Sequence, residues 1–201
     1  FYPKKMKPNA NIRLLIAGSH YQKERVTIPL HVLRLLLDRG INAYLDIAGP
    51  LKWMGAEEEV TSMVKQLRLT RFVDVSGAYS YRHSTHLYTQ ADIFLHMKYK
   101  DPCPNAVIEA LACGLPVIGS NSGGMAELVG ENAGILLPVE DRWDKMVYPS
   151  VEDTMEAVLD VVDDIDAYRV EARSRAEQQF TATKWVRQHA ELFSELLRPI
   201  G

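Results

Sequence analysis

No stretch of the chain strings together the ~20 apolar residues that a helix needs to cross a bilayer. Cysteine is scarce. Cys103 and Cys113 are the two present and they form no CxxC pair, which fits reduced thiols in a cytosolic protein better than a disulfide framework. Neither sign of charge dominates: 23 Lys and Arg stand against 26 Asp and Glu, a formal net charge of −3. The field of the whole molecule therefore does not advertise nucleic acid or an anionic membrane as partner. Internal repeats and a long linker are absent as well. The first residue is Phe1, not Met, and Phe1-Tyr-Pro-Lys-Lys5 lacks the pattern of a secretory leader. The expectation is a chain that begins partway through a longer protein, with an upstream part absent. What remains is ordinary globular composition, 47% hydrophobic and 24% charged, over 201 residues. That length suits one good-sized domain with a real core, and is short for two.

Apolar runs alternate with amphipathic stretches along most of the chain. Strands are expected at 12–17, 43–48, 72–75, 93–95, 117–118 and 134–137, where short apolar runs end at Gly18, Gly49-Pro50 and similar breakers. Helical spacing predicts helices at 26–39, 56–68, 80–90, 106–113 and 124–129, then an all-helical tail from 151 with breaks near Asp166 and Thr181. Regular alternation of strand and helix predicts an α/β fold: a Rossmann-like parallel sheet with helices on both faces and a C-terminal helical extension. Ligands of such sheets bind beyond the carboxyl ends of the strands, where the strand order reverses. The loops at 18–25, 49–55, 76–80, 96–104 and 119–124 are the places to search.

The segment from Lys98 to Glu127 carries the most chemistry. A two-proline loop, Asp101-Pro-Cys-Pro104, leads into a helix whose first N–H groups lack intrahelical acceptors and so offer an anion site. Asp101 precedes this helix and Glu109 lies one turn into it. Two carboxylates beside an anion hole suit hydroxyl groups on a ligand whose phosphates sit on the amides, the layout of a sugar nucleotide. The turn Ser122-Gly123-Gly124 precedes another helix start and is expected to add backbone donors.

These residues resemble the C-terminal half of the retaining glycosyltransferases with the GT-B fold, commonly called family 4. The resemblance rests on two acidic residues eight apart, Asp101 and Glu109, followed by Ala-Leu-Ala-Cys-Gly-Leu-Pro-Val-Ile-Gly-Ser-Asn-Ser-Gly-Gly-Met-Ala-Glu127. Ile47-Ala-Gly-Pro50 and Ala133-Gly-Ile-Leu-Leu-Pro138 match in order, and the likeness runs from about residue 11 to the C-terminus. It implies that Glu109 binds the ribose hydroxyls and that Asp101 lies by the donor sugar as the catalytic residue. Amides of Cys103, Asn105 and Ala106 would hold sugar and phosphate, as would Gly123 and Gly124. Gly77, Ala78 and Tyr79 would lie near the base, and Glu127 at the donor site. Gly18, Ser19, Lys23 and Arg25 would line the diphosphate. No metal or cofactor is implied, only a nucleotide-diphosphate sugar, UDP- or GDP-linked, as co-substrate. The same resemblance implies a single donor-binding domain, about 11–180 with a terminal helix at 183–198, whose N-terminal acceptor-binding domain belongs to the parent chain. The location it implies is cytoplasmic, with peripheral membrane contact through that other domain.

Three departures bear on this. Asp101 replaces the usual Glu. Pro102-Cys103-Pro104-Asn105 replaces a Gly-Phe-Gly, and its prolines have no N–H to give. Ser19 stands where an Arg is expected, leaving Lys23 or Arg25 as the phosphate cation, with Lys98 and Lys100 as further sources. Plainer readings stand beside each candidate. Glu109 and Glu127 could be ordinary helix carboxylates, Asp101 a helix cap, and Lys23 and Arg25 surface charges. His83 and His86 at helical spacing read as a solvated face rather than metal ligands, and His20 and His96 as structural. Trp185, Leu192, Phe193 and Leu196 make an apolar stripe on the last helix. The alternatives to a transferase half are a non-catalytic module that binds nucleotide or a partner, and a sugar-nucleotide 2-epimerase-like isomerase.

Overall fold

The computed structural model describes residues 11–198; the opening Phe1–Lys5 stretch and the last residues, 199–201, lie outside them. Within the described residues six parallel strands form one sheet: β1 (Ile12–Ala17), β2 (Ala43–Ala48), β3 (Val73–Gly77), β4 (Ile93–His96), β5 (Val117–Asn121) and β6 (Gly134–Pro138). Their order across the sheet is β3-β2-β1-β4-β5-β6. The chain starts in the middle, winds outward to β3, returns beside β1 and winds outward the other way. The switch point lies between β1 and β4, so the crevice beyond their carboxyl ends is where a ligand is accommodated.

Among the described residues eight helices connect and follow the strands: α1 (Glu24–Asp38), α2 (Ala56–Gln66), α3 (Tyr81–Gln90), α4 (Asn105–Ala112), α5 (Met125–Val129), α6 (Val151–Asp163), α7 (Ile165–Gln179) and α8 (Ala182–Leu196). Both sheet faces are covered, which is why the central strands read as near-continuous apolar runs. Leu14 and Ile16 of β1 face a core made with α1, α2 and α6, through Leu30, Leu33, Val60 and Val158. Leu15 and Ala17 face the opposite core, made with α3, α4, α5 and α7, through Tyr88, Val107, Leu128 and Ala172. Each fully buried Leu or Val contributes roughly 1.5–3 kcal/mol.

Boundaries differ from the sequence expectation in places that matter. α1 begins at Glu24, so Arg25 belongs to its first turn and not to the preceding loop; Lys23 already has helical dihedrals, and the Val26 N–H bonds the Lys23 carbonyl at 2.9 Å. Lys, Glu and Arg are good helix formers, and Glu24 suits the positive helix end. β5 runs on to Asn121 because Gly119, Ser120 and Asn121 pair with Leu136, Leu137 and Pro138. The break between α6 and α7 falls at Asp164, ahead of Asp166, which instead occupies the first turn of α7. No helix among the described residues is long and apolar enough to cross a membrane.

At the amino-terminal edge of the sheet, Asp92 ties three elements together. One carboxylate oxygen accepts the Arg13 N–H at 2.8 Å and the other accepts from Arg169 of α7 at 2.6 Å. Arg169 and Asp92 are each 2% exposed, so this ion pair is dry. Two further α7 arginines reach the carbonyl ends of shorter helices. Arg173 bonds the Ala112 carbonyl that ends α4, while Arg175 bonds those of Glu127 and Leu128 at 2.6 and 3.2 Å. Positive charge at helix C-termini is favourable, and these contacts fix α4 and α5, whose opposite ends open on the crevice. By contrast α8 buries none of its residues, and Trp185, Val186, Leu192, Phe193 and Leu196 are exposed along it.

Candidate functional site

The rim of the crevice is main chain against main chain. The Gly18 N–H bonds the Ala48 carbonyl at 3.1 Å and the Gly49 N–H bonds the Gly77 carbonyl at 2.6 Å, so the ends of β1, β2 and β3 are laced into one row. Gly49 has φ +112°, and any Cβ there would run into the Gly18 carbonyl. Ser122-Gly123-Gly124 packs on the loop after β4 in the same way: a Cβ on Gly124 would collide with the Pro102 carbonyl, and one on Gly123 with the Asp101 backbone. The Gly124 N–H is spent on the Asp101 carbonyl at 2.9 Å. The expectation of a free backbone donor at Gly124 is thereby corrected; the glycines are needed for close approach. Further links hold this seam, from the Lys100 N–H to Ser122 Oγ at 2.9 Å and from Ser120 Oγ to the Lys98 carbonyl at 3.1 Å.

Asp101 does not cap α4. The cap position is Pro104, whose carbonyl receives the N–H of Val107 at 3.0 Å. The Asp101 carboxylate turns back toward β4, where Oδ2 lies 3.2 Å from His96 Nε2 and 3.0 Å from Lys98 Nζ. A neutral imidazole protonated on Nε2 donates this bond. Chiefly through it, and with Lys98 adding to it against the opposing effect of burial, Asp101 is held down to about 2. His96 is 2% exposed, and burial lowers its own pKa. Its Nδ1 has no hydrogen-bond partner among the described residues.

Arg25 enters the same crevice from α1. It is 7% exposed, donates to the Ser19 carbonyl at 2.8 Å, and is felt electrostatically by His96 and Asp101. Its charge thus arrives beside the position where Ser19 offers none of its own. Lys23 does not join it: its amine lies 3.8 Å from Glu59 on α2. Of the two lysines in the loop after β4, Lys98 stays with Asp101. Lys100 is drawn away to Asp141 at 2.5 Å and sits 3.4 Å above the ring of Trp143. Tyr99 beside it accepts the Arg142 N–H at 2.6 Å, so the segment after β6 is tied to the loop after β4. Next to Arg25, His20 is fully buried with Nε2 3.1 Å from the Ala48 carbonyl. Burial, with Arg25 adding to it, lowers His20 to about 4.

A second group of side chains lies on the α3–α4 side. Glu109 is half-buried on α4, and its charge acts on Tyr79 of the loop after β3 and on Tyr88 of α3. Burial raises the pKa of both phenols. Between the two groups, the exposed Cys103 and Asn105 and the half-buried Ala106 lead into α4. The N–H groups of Asn105 and Ala106 belong to the first turn, where helix geometry supplies no acceptor. Glu127 is exposed on α5, with Gly77 half-buried and Ala78 exposed at the end of β3. His83 and His86 face solvent on α3, and His83 Nδ1 is 2.8 Å from Ser80 Oγ. Sequence reasoning missed His96 and Tyr88 as members of the site. An apolar-strand histidine five residues before an acid, and a tyrosine on the buried side of a polar helix, were the signals available.

The family model described as glycosyl transferases group 1 matches residues 3–148. A protein described as a colanic acid biosynthesis glycosyltransferase, WcaL of Escherichia coli (strain K12), is 24% identical over 149 residues, covering 70% of this chain and 36% of that protein. The chain thus spans about a third of the length of this curated relative. Among solved structures, Anabaena Alr3699/HepE in complex with UDP and glucose superposes with a TM-score of 0.73 at 19% identity, over 92% of this chain and 49% of that one. The C-terminal domain of the glycosyl transferase group 1 family protein LpcC from Francisella tularensis gives a TM-score of 0.68 at 14% identity, over 85% of this chain and 87% of that one. At such identities the superpositions speak for the fold, and they agree with the Rossmann-like sheet; the family model speaks for descent. This chain belongs to the glycosyl transferases group 1 family.

Proposed function

We propose that the chain is the donor-binding half of a retaining, family 4 glycosyltransferase of the GT-B fold, moving a hexose from a UDP- or GDP-linked sugar to a glycan or lipid-linked saccharide. The observation that carries this reading is the crevice at the β1/β4 switch point. There Arg25 and Lys98 bring positive charge beside Asp101, while Glu109 stands one turn into α4. The diphosphate would take the α4 amides of Asn105 and Ala106 together with Arg25 and Lys98, the ribose would take Glu109, and the donor sugar would face Asp101. Gly77, Ala78 and Tyr79 would flank the base.

In a retaining transfer of this kind the sugar C1–O bond to the diphosphate breaks as the C1–O bond to the acceptor forms on the same face. The acceptor proton passes to the departing diphosphate. Charge builds on that leaving group, so cations and helix N–H groups aimed at it lower the barrier without a protein nucleophile. Asp101, held ionised by His96 and Lys98, would stabilise the cation-like sugar. The uncovered stripe on α8 supports a partner half in the parent chain, which would bind the acceptor; a cytoplasmic enzyme at the inner face of a membrane belongs to the same reading through the family resemblance alone. The nucleotide sugar is read as the co-substrate, with no metal required. Ser19 in the phosphate loop favours a second reading, a module that binds nucleotide and transfers nothing.

Isothermal titration of UDP, GDP and their sugar conjugates tests the proposal. One base family should bind, and Glu109→Ala should weaken it by about 1–3 kcal/mol, the scale of hydrogen bonds to a charged group. Unchanged affinity in the variant, or no binding at millimolar ligand, would sink the donor-site reading.

A further inference from the structure

Tyr88 is 2% exposed, yet its hydroxyl has no hydrogen-bond partner among the described residues. Packing accounts for the ring, which lies edge-on to Phe94 with centroids 5.7 Å apart, inside the core shared by α3, α4 and β4. Packing does not account for the oxygen, since a phenylalanine fills the same space. A buried phenol without a partner is costly, and such groups in a folded protein call for an explanation. Tyr79 in the loop after β3 and Glu109 on α4 stand near enough to act on this hydroxyl, yet outside hydrogen-bond geometry. Tyr79 packs against the same core. The unbonded hydroxyl thus lies between a loop at the β3 rim and the carboxylate at the mouth of α4.

We infer that Tyr88 is a positioning residue for Glu109, donating its O–H to the carboxylate when nucleotide is bound and so fixing the carboxylate for the ribose hydroxyls. This inference rests on the ribose-binding reading of Glu109. A carboxylate is acceptor-only and has about four lone-pair sites, enough for one phenol and two ribose hydroxyls together. The phenol oxygen can accept in turn from Tyr79, which extends a chain Tyr79 to Tyr88 to Glu109 from the rim of β3 to the ribose. Hydrogen bonds in such a chain polarise and strengthen one another in a low-dielectric site. The ligand-free protein then holds the hydroxyl unpaired and ready, and the bound state satisfies it.

The test uses Tyr88→Phe and Glu109→Ala beside wild type. Each is titrated with UDP, GDP and their 2′-deoxy forms, and the melting temperature of the ligand-free proteins is recorded. In wild type the ribo form should bind more tightly than the 2′-deoxy form, and Glu109→Ala should erase that preference. Tyr88→Phe should weaken the ribo form by about tenfold, the net value of one good hydrogen bond, with little change for the deoxy form. It should melt no lower than wild type, because it removes an unpaired buried hydroxyl. If Tyr88→Phe keeps the wild-type preference while Glu109→Ala loses it, the role of Tyr88 is overturned and the ribose reading stands. Equal weakening of both forms would make Tyr88 a structural residue and also overturn the inference. No ribo preference in wild type, or no binding at all, would overturn the ribose reading and the inference with it.

Discussion

Arg169→Ala should destabilise the protein by about 3–5 kcal/mol, the range for removing one member of a buried ion pair. The variant leaves the Asp92 carboxylate dry and uncompensated, with the Arg13 N–H as the remaining partner shown for it. Chemical denaturation reads the loss directly. The double variant Arg169→Met with Asp92→Asn should recover most of it, because the amide oxygen still accepts from Arg13 and no unpaired charge is buried. If the single variant costs under about 1 kcal/mol, the pair is not the clamp described here. The pair lies at the amino-terminal edge of the sheet, away from the crevice, so nucleotide affinity of the folded variant should match wild type.

Acid should weaken the fold through its buried imidazoles. His20 is fully buried and lowered from an ordinary 6.5 to about 4, first by burial and then by the Arg25 charge. The unfolded chain therefore takes up a proton on this residue near pH 6.5, while the folded chain resists until about 4. Its contribution to stability is full above 6.5 and is lost as pH falls through that window. Between pH 7 and 4.5 the loss from His20 should be about 2–3 kcal/mol, with His96 adding in the same direction because its pKa is also lowered by burial. Asp101, held down to about 2 from an ordinary 3.8, keeps its stabilising contribution above that ordinary value and loses it as pH falls from there to about 2. Urea denaturation at the two pH values measures the slope. His20→Gln, which keeps a donor for the Ala48 carbonyl but does not titrate, should flatten it by most of that amount. An unchanged slope in the variant would mean that the imidazole is not held neutral as described.

Much of this architecture was legible in the residues because a doubly covered parallel sheet demands strands that are apolar throughout. Ile12–Ala17 and Ala43–Ala48 come close to that demand, broken only by Arg13 and Asp46, which pair with each other at 2.5 Å, and Gly18 and Gly49 close them. The apolar pattern starts α1 at 26, two residues late, because Lys23, Glu24 and Arg25 are polar and yet good helix formers. That error had a functional edge. Once Arg25 is seen on a helix its direction is set, and it points into the crevice while Lys23 leans to Glu59. Asp101 and Glu109 were visible through spacing and through the family resemblance. The partner that sets the chemistry of Asp101 was not, because His96 meets it only in the folded chain. Nor could sequence show that Lys100 is taken up by Asp141 and Trp143, a choice made by a segment some 40 residues later.

The glycine contacts at the rim bear on any attempt to re-engineer the preference of this crevice. At Gly49 and Gly124 the obstructing neighbour is a carbonyl of the main chain. A clash with a side chain can be relieved by a second substitution, but a clash with backbone offers nothing to trim. A mutant library should therefore hold these positions invariant and spend its diversity at Tyr79, Lys98 and Asn105, where altered side chains can be answered by altered neighbours. Along this stretch of the sheet, the permitted sequences are bounded by the path of the chain itself.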